Sequence, residues 1–359
     1  MNKKIIFSAG GTGGHIFPAV NLMKHFSEKG YNVVLVTDKR GNDFENKYSK
    51  FKTYKIKAGT TTNKNIFIKV FSLIKILYSL FKSIIILKKE KPDLIIGFGG
   101  YVSFPISFAS KFFNLPLVIY EPNIVIGRAN KYLLSTAKKI FLTNQININF
   151  PEKYKKKIEV VGTIINKNII RNKNLEKEKN KEFFSILVLG GSQGAEIFGK
   201  VIPLAMTMVK EKGYNININQ QCKKNQKDSI IDYYKKKNIK NYIFQFEKNI
   251  LDLILSSDLV ITRCGASAIA ELVYTHTPFI AVPLPDSIDN HQYLNAKFYQ
   301  DKDCCWLLDQ KNFNKDNVFN LVIEVIRDKK KLQIKRENMK KIYTDNVYSI
   351  IDTKIKEII

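Results

Sequence analysis

At 359 residues the chain exceeds what one ordinary hydrophobic core supports, so two domains are expected. A hydrophobic content of 45% with only 10 prolines and 18 glycines excludes a disordered or low-complexity chain. With 59 Lys and Arg against 32 Asp and Glu the formal charge is +27, a field that attracts nucleic acid, anionic membrane or a phosphorylated substrate without choosing among them, although in a chain so rich in Lys, Asn and Ile many lysines merely solvate the surface.

The chain begins Met-Asn-Lys-Lys and passes directly into the apolar run "IIFSA", with no secretory apolar region, so a reducing cytoplasm is expected. Cys222, Cys264, Cys304 and Cys305 show no C-x-x-C spacing, which argues against structural disulfides and a zinc site. The first strand runs into "GGTGGH", a glycine turn that opens a helix and leaves backbone N–H groups at the positive end of the helix dipole. Such a turn is an anion site. It does not spell G-x-G-x-x-G, because Gly11 and Gly13 are followed by Ile16, so a dinucleotide fold is weakly supported despite Asp38 at the end of the next strand, "NVVLVTD".

Residues 64–89, "KNIFIKVFSLIKILYSLFKSIIILKK", predict a long helix. Its polar residues Lys69, Ser72, Lys75, Ser79 and Lys82 step by three, three, four and three along one narrow stripe, leaving an apolar surface wider than a core-facing helix needs. Lysines interrupt it too often for a bilayer span, but a basic apolar helix can lie in the membrane interface. A buried core helix with snorkelling lysines is the competing expectation.

Strands "PDLIIGFGG" and "PLVIYE" follow, and the polar stretch at residues 165–183 reads as a linker. Beyond it, "ILVLGGSQGA" (residues 186–195) echoes "IIFSAGGTGG" (residues 5–14), a second buried strand entering a glycine turn before a helix. "GAEIFGKV" nearly spells a P-loop, but Val201 lacks the metal-binding hydroxyl and the last glycine would sit inside a helix. "NYIFQF", "DLVITRCG" and "PFIAVPLP" complete a run of apolar strands without clean alternation, the pattern of parallel strands covered on both faces. The fold class is therefore α/β, with two Rossmann-like halves. "DKD" at residues 301–303 reads as a turn, and His25 and His276, outside any glycine loop, as structural or solvated.

Six segments in one order carry a resemblance across nearly the whole chain: "GGTGGHIFPAVNL" (residues 10–22), "GFGGYVSFP" (97–105), "EPN" (121–123), "GGSQGA" (190–195), "TRCGASAIAEL" (262–272) and "DNHQYLNA" (289–296). They resemble the motifs of the MurG family, the undecaprenyl-diphospho-muramoylpentapeptide N-acetylglucosaminyltransferases. The resemblance implies a GT-B glycosyltransferase fold, two Rossmann-like domains facing across a cleft: an acceptor and membrane-facing domain at residues 1–164, a UDP-sugar domain at 165–340, and a C-terminal helix within 341–359 packing back on the first. It implies inverting transfer of N-acetylglucosamine from UDP-N-acetylglucosamine to the muramoyl 4-hydroxyl of lipid I, with no cofactor and no metal. The implied setting is peripheral, on the cytoplasmic face of the plasma membrane against an anionic surface, with no nucleic acid as partner and other cell-wall enzymes as candidate partners.

Residue by residue, the resemblance assigns Gly10, Gly11, Gly99, Gly100 and Tyr101 to the acceptor diphosphate. It assigns Thr12, Gly13, Gly14, Asn123, Asn166, Ser192, Ala266, Ser267, Ala268, Ile269, Ala270, Glu271, His291 and Gln292 to the donor, with Glu271 suited to the ribose diol. His15 and Glu121 compete as general base for the attacking hydroxyl; the His15 ring could instead bind phosphate or cap its helix. The chain departs from the family at Asn166, where arginine is usual and where Lys167 could supply the charge, at Tyr120 in place of histidine, at Ala268 in place of threonine, and at Glu247, a usually apolar position whose backbone meets uracil. A UDP-N-acetylglucosamine 2-epimerase-like enzyme is the enzymatic alternative, and a basic nucleic-acid-binding protein the alternative from another class, though no nucleic-acid motif supports it.

Overall fold

The computed structural model describes residues 2–10, 13–39, 48–57, 66–145, 150–167, 182–191, 195–247 and 249–359, the side chains of residues 66–71 excepted. Gly11, Thr12 and Ser192, and residues 168–181 of the expected linker, lie outside the described residues. The chain divides into two compact units, one comprising Met1–Lys167 with Thr344–Ile359 and the other Asn168–Tyr343.

The first unit is built on seven parallel strands: β1 (Lys4–Ser8), β2 (Asn32–Thr37), β3 (Lys52–Lys55), β4 (Leu94–Gly97), β5 (Leu117–Glu121), β6 (Lys139–Leu142) and β7 (Ile158–Val160), in the order β3-β2-β1-β4-β5-β6-β7. Its helices are α1 (Gly13–Glu28), α2 (Ile66–Glu90), α3 (Ser103–Ala109) and α4 (Arg128–Leu133). Alternation along β1 shows why both faces must be covered: Ile5 and Phe7 pack with Ile16, Ala19 and Met23 of α1, whereas Ile6 packs with Ile86 and Leu87 of α2 and Ile106 of α3.

The second unit has six parallel strands: β8 (Phe184–Leu189), β9 (Ile216–Gln221), β10 (Lys240–Phe244), β11 (Leu259–Thr262), β12 (Phe279–Ala281) and β13 (Cys305–Leu307), ordered β10-β9-β8-β11-β12-β13. They are covered by α5 (Glu196–Glu211), α6 (Lys227–Lys236), α7 (Ile250–Ser256), α8 (Ala266–Tyr274), α9 (His291–Asp301), α10 (Lys315–Arg327) and α11 (Lys329–Ile342). The last helix, α12 (Val347–Lys356), belongs to the first unit, where Val347, Ile351 and Ile355 are buried in the α1-side core.

Five strands fall outside the apolar runs read from the sequence. β3, "KTYK", is an edge strand whose lysines guard the open side of the sheet. β9, "ININQQ", buries Ile216 and Ile218, and its buried Gln220 is satisfied by the Tyr234 hydroxyl (2.8 Å) and the Phe198 carbonyl (3.4 Å). β6, β7 and β13 span four, three and three residues, too short for a periodic signal.

The helix expected at residues 64–89 forms as α2, with the serines of its polar stripe facing inward and Lys75 and Lys82 half-buried. Ser72, Ser79 and Ser83 are buried, while Leu73, Ile74, Leu77, Tyr78, Phe81 and Ile85 are each about half exposed or more, Phe81 reaching 63%. The Ser79 hydroxyl donates to the Lys57 carbonyl and that of Ser83 to the Ser79 carbonyl (2.7 Å), so the buried polar groups are satisfied. Small side chains along this face let α2 pack closely on α3. The core-helix expectation fails for the outward face. Among the described residues, no helix is long and apolar enough to cross a membrane.

Candidate active site

In an open parallel sheet, ligands bind outside the carboxyl ends of the strands where the strand order reverses. In the first unit that point lies between β1 and β4, where Ser8 is in register with Gly97. Two glycine turns distant in sequence meet there. A Cβ on Gly100 would lie 2.8 Å from the Gly10 carbonyl oxygen, and one on Gly10 would lie 2.7 Å from Val102 Cβ. Gly99 and Gly100 also have φ of +86° and +78°, so side chains are barred there by conformation as well as by space.

His15, in the first turn of α1, closes on this turn: a Cβ on Gly99 would stand 3.2 Å from its Cε1 and 3.3 Å from Nδ2 of Asn130. Glu121, the last residue of β5, is fully buried, and both carboxylate oxygens are engaged. Oε1 accepts from the backbone N–H (3.1 Å) and side-chain amide (2.9 Å) of Asn123, and Oε2 from the Gly127 N–H (2.8 Å) and Asn130 Nδ2 (2.9 Å). The carboxylate thus folds the loop after β5 and sets the start of α4. Buried Asn130 keeps its Oδ1 without a protein partner, as does the buried Tyr101 hydroxyl. Gly13 and Gly14 start α1, and Asn166 is half-buried beyond β7.

One departure from the family pattern, Tyr120, and the lysine beside another have structural roles. The Tyr120 ring is buried beside Phe98, and its hydroxyl accepts from the Ile164 N–H (3.0 Å), pinning the loop beyond β7. Lys167 is paired with Glu28 of α1 (2.6 Å) and lies over the Tyr348 ring, 5.4 Å from its centroid.

In the second unit the reversal lies between β8 and β11. Gly190 and Gly191 follow β8, Gly191 with φ of +80°. Gly265 precedes α8 in an extended conformation without a side-chain cap, so the first-turn N–H groups of Ala266, Ser267 and Ala268 are donors at a helix N-terminus. Ile269 and Ala270 turn into the core, which leaves the half-buried Ala266, Ser267, Ala268 and Glu271 on the accessible side of the helix.

Gln292 Oε1 accepts from the Cys264 and Leu284 N–H groups, both at 3.1 Å, tying the loops after β11 and β12 together and leaving its Nε2 hydrogens as the end it can offer a ligand. His291 opens α9, its Nδ1 2.8 Å from the Ile288 carbonyl oxygen. The preceding Asp289 and Asn290 both have positive φ, 52° and 54°, which explains the choice of two residues that tolerate the left-handed region. In the "DKD" segment Asp301 pairs with Lys297 (2.5 Å) and Asp303 with Lys335 (2.7 Å), as befits a turn between α9 and β13.

Three functional-site neighbours carry no sequence signal of their own. Asn130 holds Glu121. Arg263, buried at the end of β11, donates to the carbonyls of Val282 (3.1 Å) and Pro283 (3.2 Å) and lies over the Phe198 ring. Gln221, the last residue of β9, accepts from the Gly190 N–H (3.0 Å) and donates to the Gln245 carbonyl (3.1 Å). An amide or guanidinium whose partner lies many residues away leaves no periodicity to read.

The chain matches the model of the glycosyltransferase family 28 N-terminal domain at residues 5–142 and that of the C-terminal domain at residues 185–353. It is 37% identical over 360 residues to the UDP-N-acetylglucosamine–N-acetylmuramyl-(pentapeptide) pyrophosphoryl-undecaprenol N-acetylglucosamine transferase of Pelagibacter ubique, covering 100% of this chain and 99% of that protein. The protein of the same description from Rickettsia canadensis is 35% identical, over 99% of this chain and 100% of its own length. Among solved structures, the crystal structure of Acinetobacter baumannii MurG shares the fold, with a TM-score of 0.79 at 23% identity over 99% of this chain and 100% of that one.

Proposed function

The chain belongs to glycosyltransferase family 28, and on that premise we infer that it is a UDP-N-acetylglucosamine-dependent glycosyltransferase of peptidoglycan synthesis, moving N-acetylglucosamine to the muramoyl 4-hydroxyl of lipid I to give lipid II. The observation that carries the mechanism is the repetition of one device. At the reversal point of each sheet, glycine turns leave backbone N–H groups beside a helix N-terminus, which suits one diphosphate in each unit.

The second unit takes the donor. Transfer breaks the bond between the anomeric carbon and the β-phosphate oxygen, so charge develops on the departing UDP. The Ala266, Ser267 and Ala268 N–H groups and the Gly190 turn stabilise that charge, because they are fixed before the reaction begins. Glu271 accepts from the ribose diol, the Gln292 amide and His291 face the sugar or its phosphates, and the backbone of residues 245–247 reads the uracil edge.

The first unit takes lipid I. Gly10, Gly99, Gly100 and Tyr101 receive its diphosphate, and the muramoyl 4-hydroxyl attacks C1 as His15 takes its proton. Glu121 acts through Asn123 and Asn130 as a positioning residue, since its lone pairs are occupied by four N–H donors.

The outward face of α2 lies against the anionic cytoplasmic leaflet. Supporting this are its exposed Leu77, Phe81 and Ile85, the lysines Lys82, Lys88 and Lys89, and an aromatic run in which Phe104 meets Tyr132 and Phe108, and Phe108 meets Phe112. The deciding experiment follows labelled N-acetylglucosamine from its UDP form to a lipid I analogue. Formation of the disaccharide establishes the reaction; binding of the donor without glycosylation of the acceptor would shift the function toward an epimerase-like use of the same fold.

A further inference from the structure

The three strands β8, β9 and β10 lie side by side, with β9 in the middle, and each ladder stops at the carboxyl edge. β8 ends at Leu189 and β10 at Phe244, so the Gly190 N–H and the Gln245 carbonyl are the first backbone groups beyond the sheet on either side of β9. The Gln221 side chain reaches both, accepting from Gly190 N (3.0 Å) and donating to Gln245 O (3.1 Å). A primary amide has one acceptor and one donor end, so it substitutes for a peptide group and extends the ladder by one rung in both directions.

The far loop is clamped a second time. Glu247 accepts from the Tyr242 hydroxyl (2.8 Å) and the Asn249 N–H (2.7 Å), so residue 246 is framed by two anchors, and Phe246, between them, is 67% exposed at the sheet's carboxyl edge. An exposed aromatic on a loop fixed at both sides is a preorganised face for a flat ring, flanked by backbone groups that can read its edge.

We propose that Gln221 is a positioning residue for donor selection: its amide couples the phosphate-facing turn at Gly190 to the base-facing loop at residues 245–247, so that nucleobase and diphosphate are recognised in one fixed register. The proposal rests on the reading that this edge of the second unit takes the UDP-sugar. It assigns Gln221 no contact with the substrate.

The test compares wild type with Gln221→Met, which removes both hydrogen bonds at similar length, and Gln221→Glu, an isostere that keeps the acceptor for Gly190 but has no hydrogen for Gln245. The readouts are the donor KM, kcat at saturating donor, and the ratio of UDP to ADP inhibition constants. A negative charge near the phosphates weakens both nucleotides alike, so the ratio isolates the base-facing loop. For Gln221→Met a rise in KM of about tenfold is expected, the value of one hydrogen bond, with kcat within about threefold. The UDP/ADP ratio should narrow by about tenfold in both variants. A folded Gln221→Met with wild-type KM and ratio overturns the proposal; if that variant melts early, an unchanged ratio in Gln221→Glu does so. Wild-type protein that fails to distinguish UDP from ADP would remove the donor-edge reading itself, before any substitution is considered.

Discussion

At the scale of single residues, two candidate bases separate by what surrounds them. The Glu121 carboxylate is occupied by four N–H donors that fold its own loop, whereas the His15 imidazole stands at the first turn of a helix beside the Gly99 turn and is a residue type suited to proton transfer near neutral pH. His15→Gln should therefore lower kcat by roughly 10²–10⁴-fold with donor affinity held within about threefold. Wild-type turnover in that variant, measured by single-turnover transfer, excludes the role. Glu121→Ala strands the donors of Asn123, Gly127 and Asn130 in a buried site and should cost on the order of 3 kcal/mol of stability, visible as a lower thermal midpoint. Glu271→Ala should raise the donor dissociation constant roughly 10–100-fold, the loss of charge-assisted bonds to a diol, without unfolding; titration calorimetry reads both. The glycine turns were legible in the sequence because a strand running into consecutive glycines has few other meanings. Asn130 and Gln221 were not, because an amide declares its role only when its distant partners arrive.

At the scale of elements, α2 shows how a periodicity identifies a helix without fixing which of its faces meets the rest of the unit. The steps of three and four identify the helix, but a narrow polar stripe ordinarily marks the solvent side. Here the two serines of the stripe, Ser72 and Ser79, are small enough for close helix packing and able to bond locally, so with Ser83 they go inside, Lys75 and Lys82 lie half-buried, and the bulky apolar residues go out. Replacing Leu77, Phe81 and Ile85 by serine should reduce binding to anionic vesicles at least tenfold at constant thermal midpoint, as the vesicle sedimentation and melting curves would report, since these side chains pack on little of the protein. Conversely, Ser79→Leu should destabilise the unit by about 1–3 kcal/mol through overpacking.

At the scale of the whole molecule, acid reaches the first unit through two anchors. His25 of α1 donates from Nε2 to Asp352 of α12 (2.7 Å), and Lys29 pairs with the same carboxylate. Burial lowers the His25 pKa, outweighing the upward pull of Asp352. Above pH 6.5 the ring is neutral in both folded and unfolded chains and contributes no pH dependence; below it the unfolded chain takes the proton more readily, so stability falls until the folded pKa is passed. His25→Gln should flatten the fall in thermal midpoint between pH 7 and about 5; an identical slope would exclude this origin.

A second loss follows at lower pH. Burial pushes Glu90 up, but hydrogen bonds from Lys52, Tyr54 and Lys4 outweigh it and bring its carboxyl to about 2. Its contribution, on the order of 2–3 kcal/mol, is complete above pH 4.5 and disappears as the pH falls through about 2. The two halves of the chain were visible in the repeated strand and glycine turn. The membership of α12 in the first unit had no local signal, because an amphipathic helix does not state which sheet it will cover.

That membership sets an order of assembly. The first unit closes its core with Val347, Ile351 and Ile355, residues made only after all of the second unit has been synthesised. The second unit is continuous in sequence and needs no later-made segment to fold, whereas the earlier-made first unit waits for its last helix. A chain that stopped just after residue 343 would therefore carry a complete second unit beside an unfinished first unit with α1-side apolar surface exposed, a product suited to chaperones and proteases.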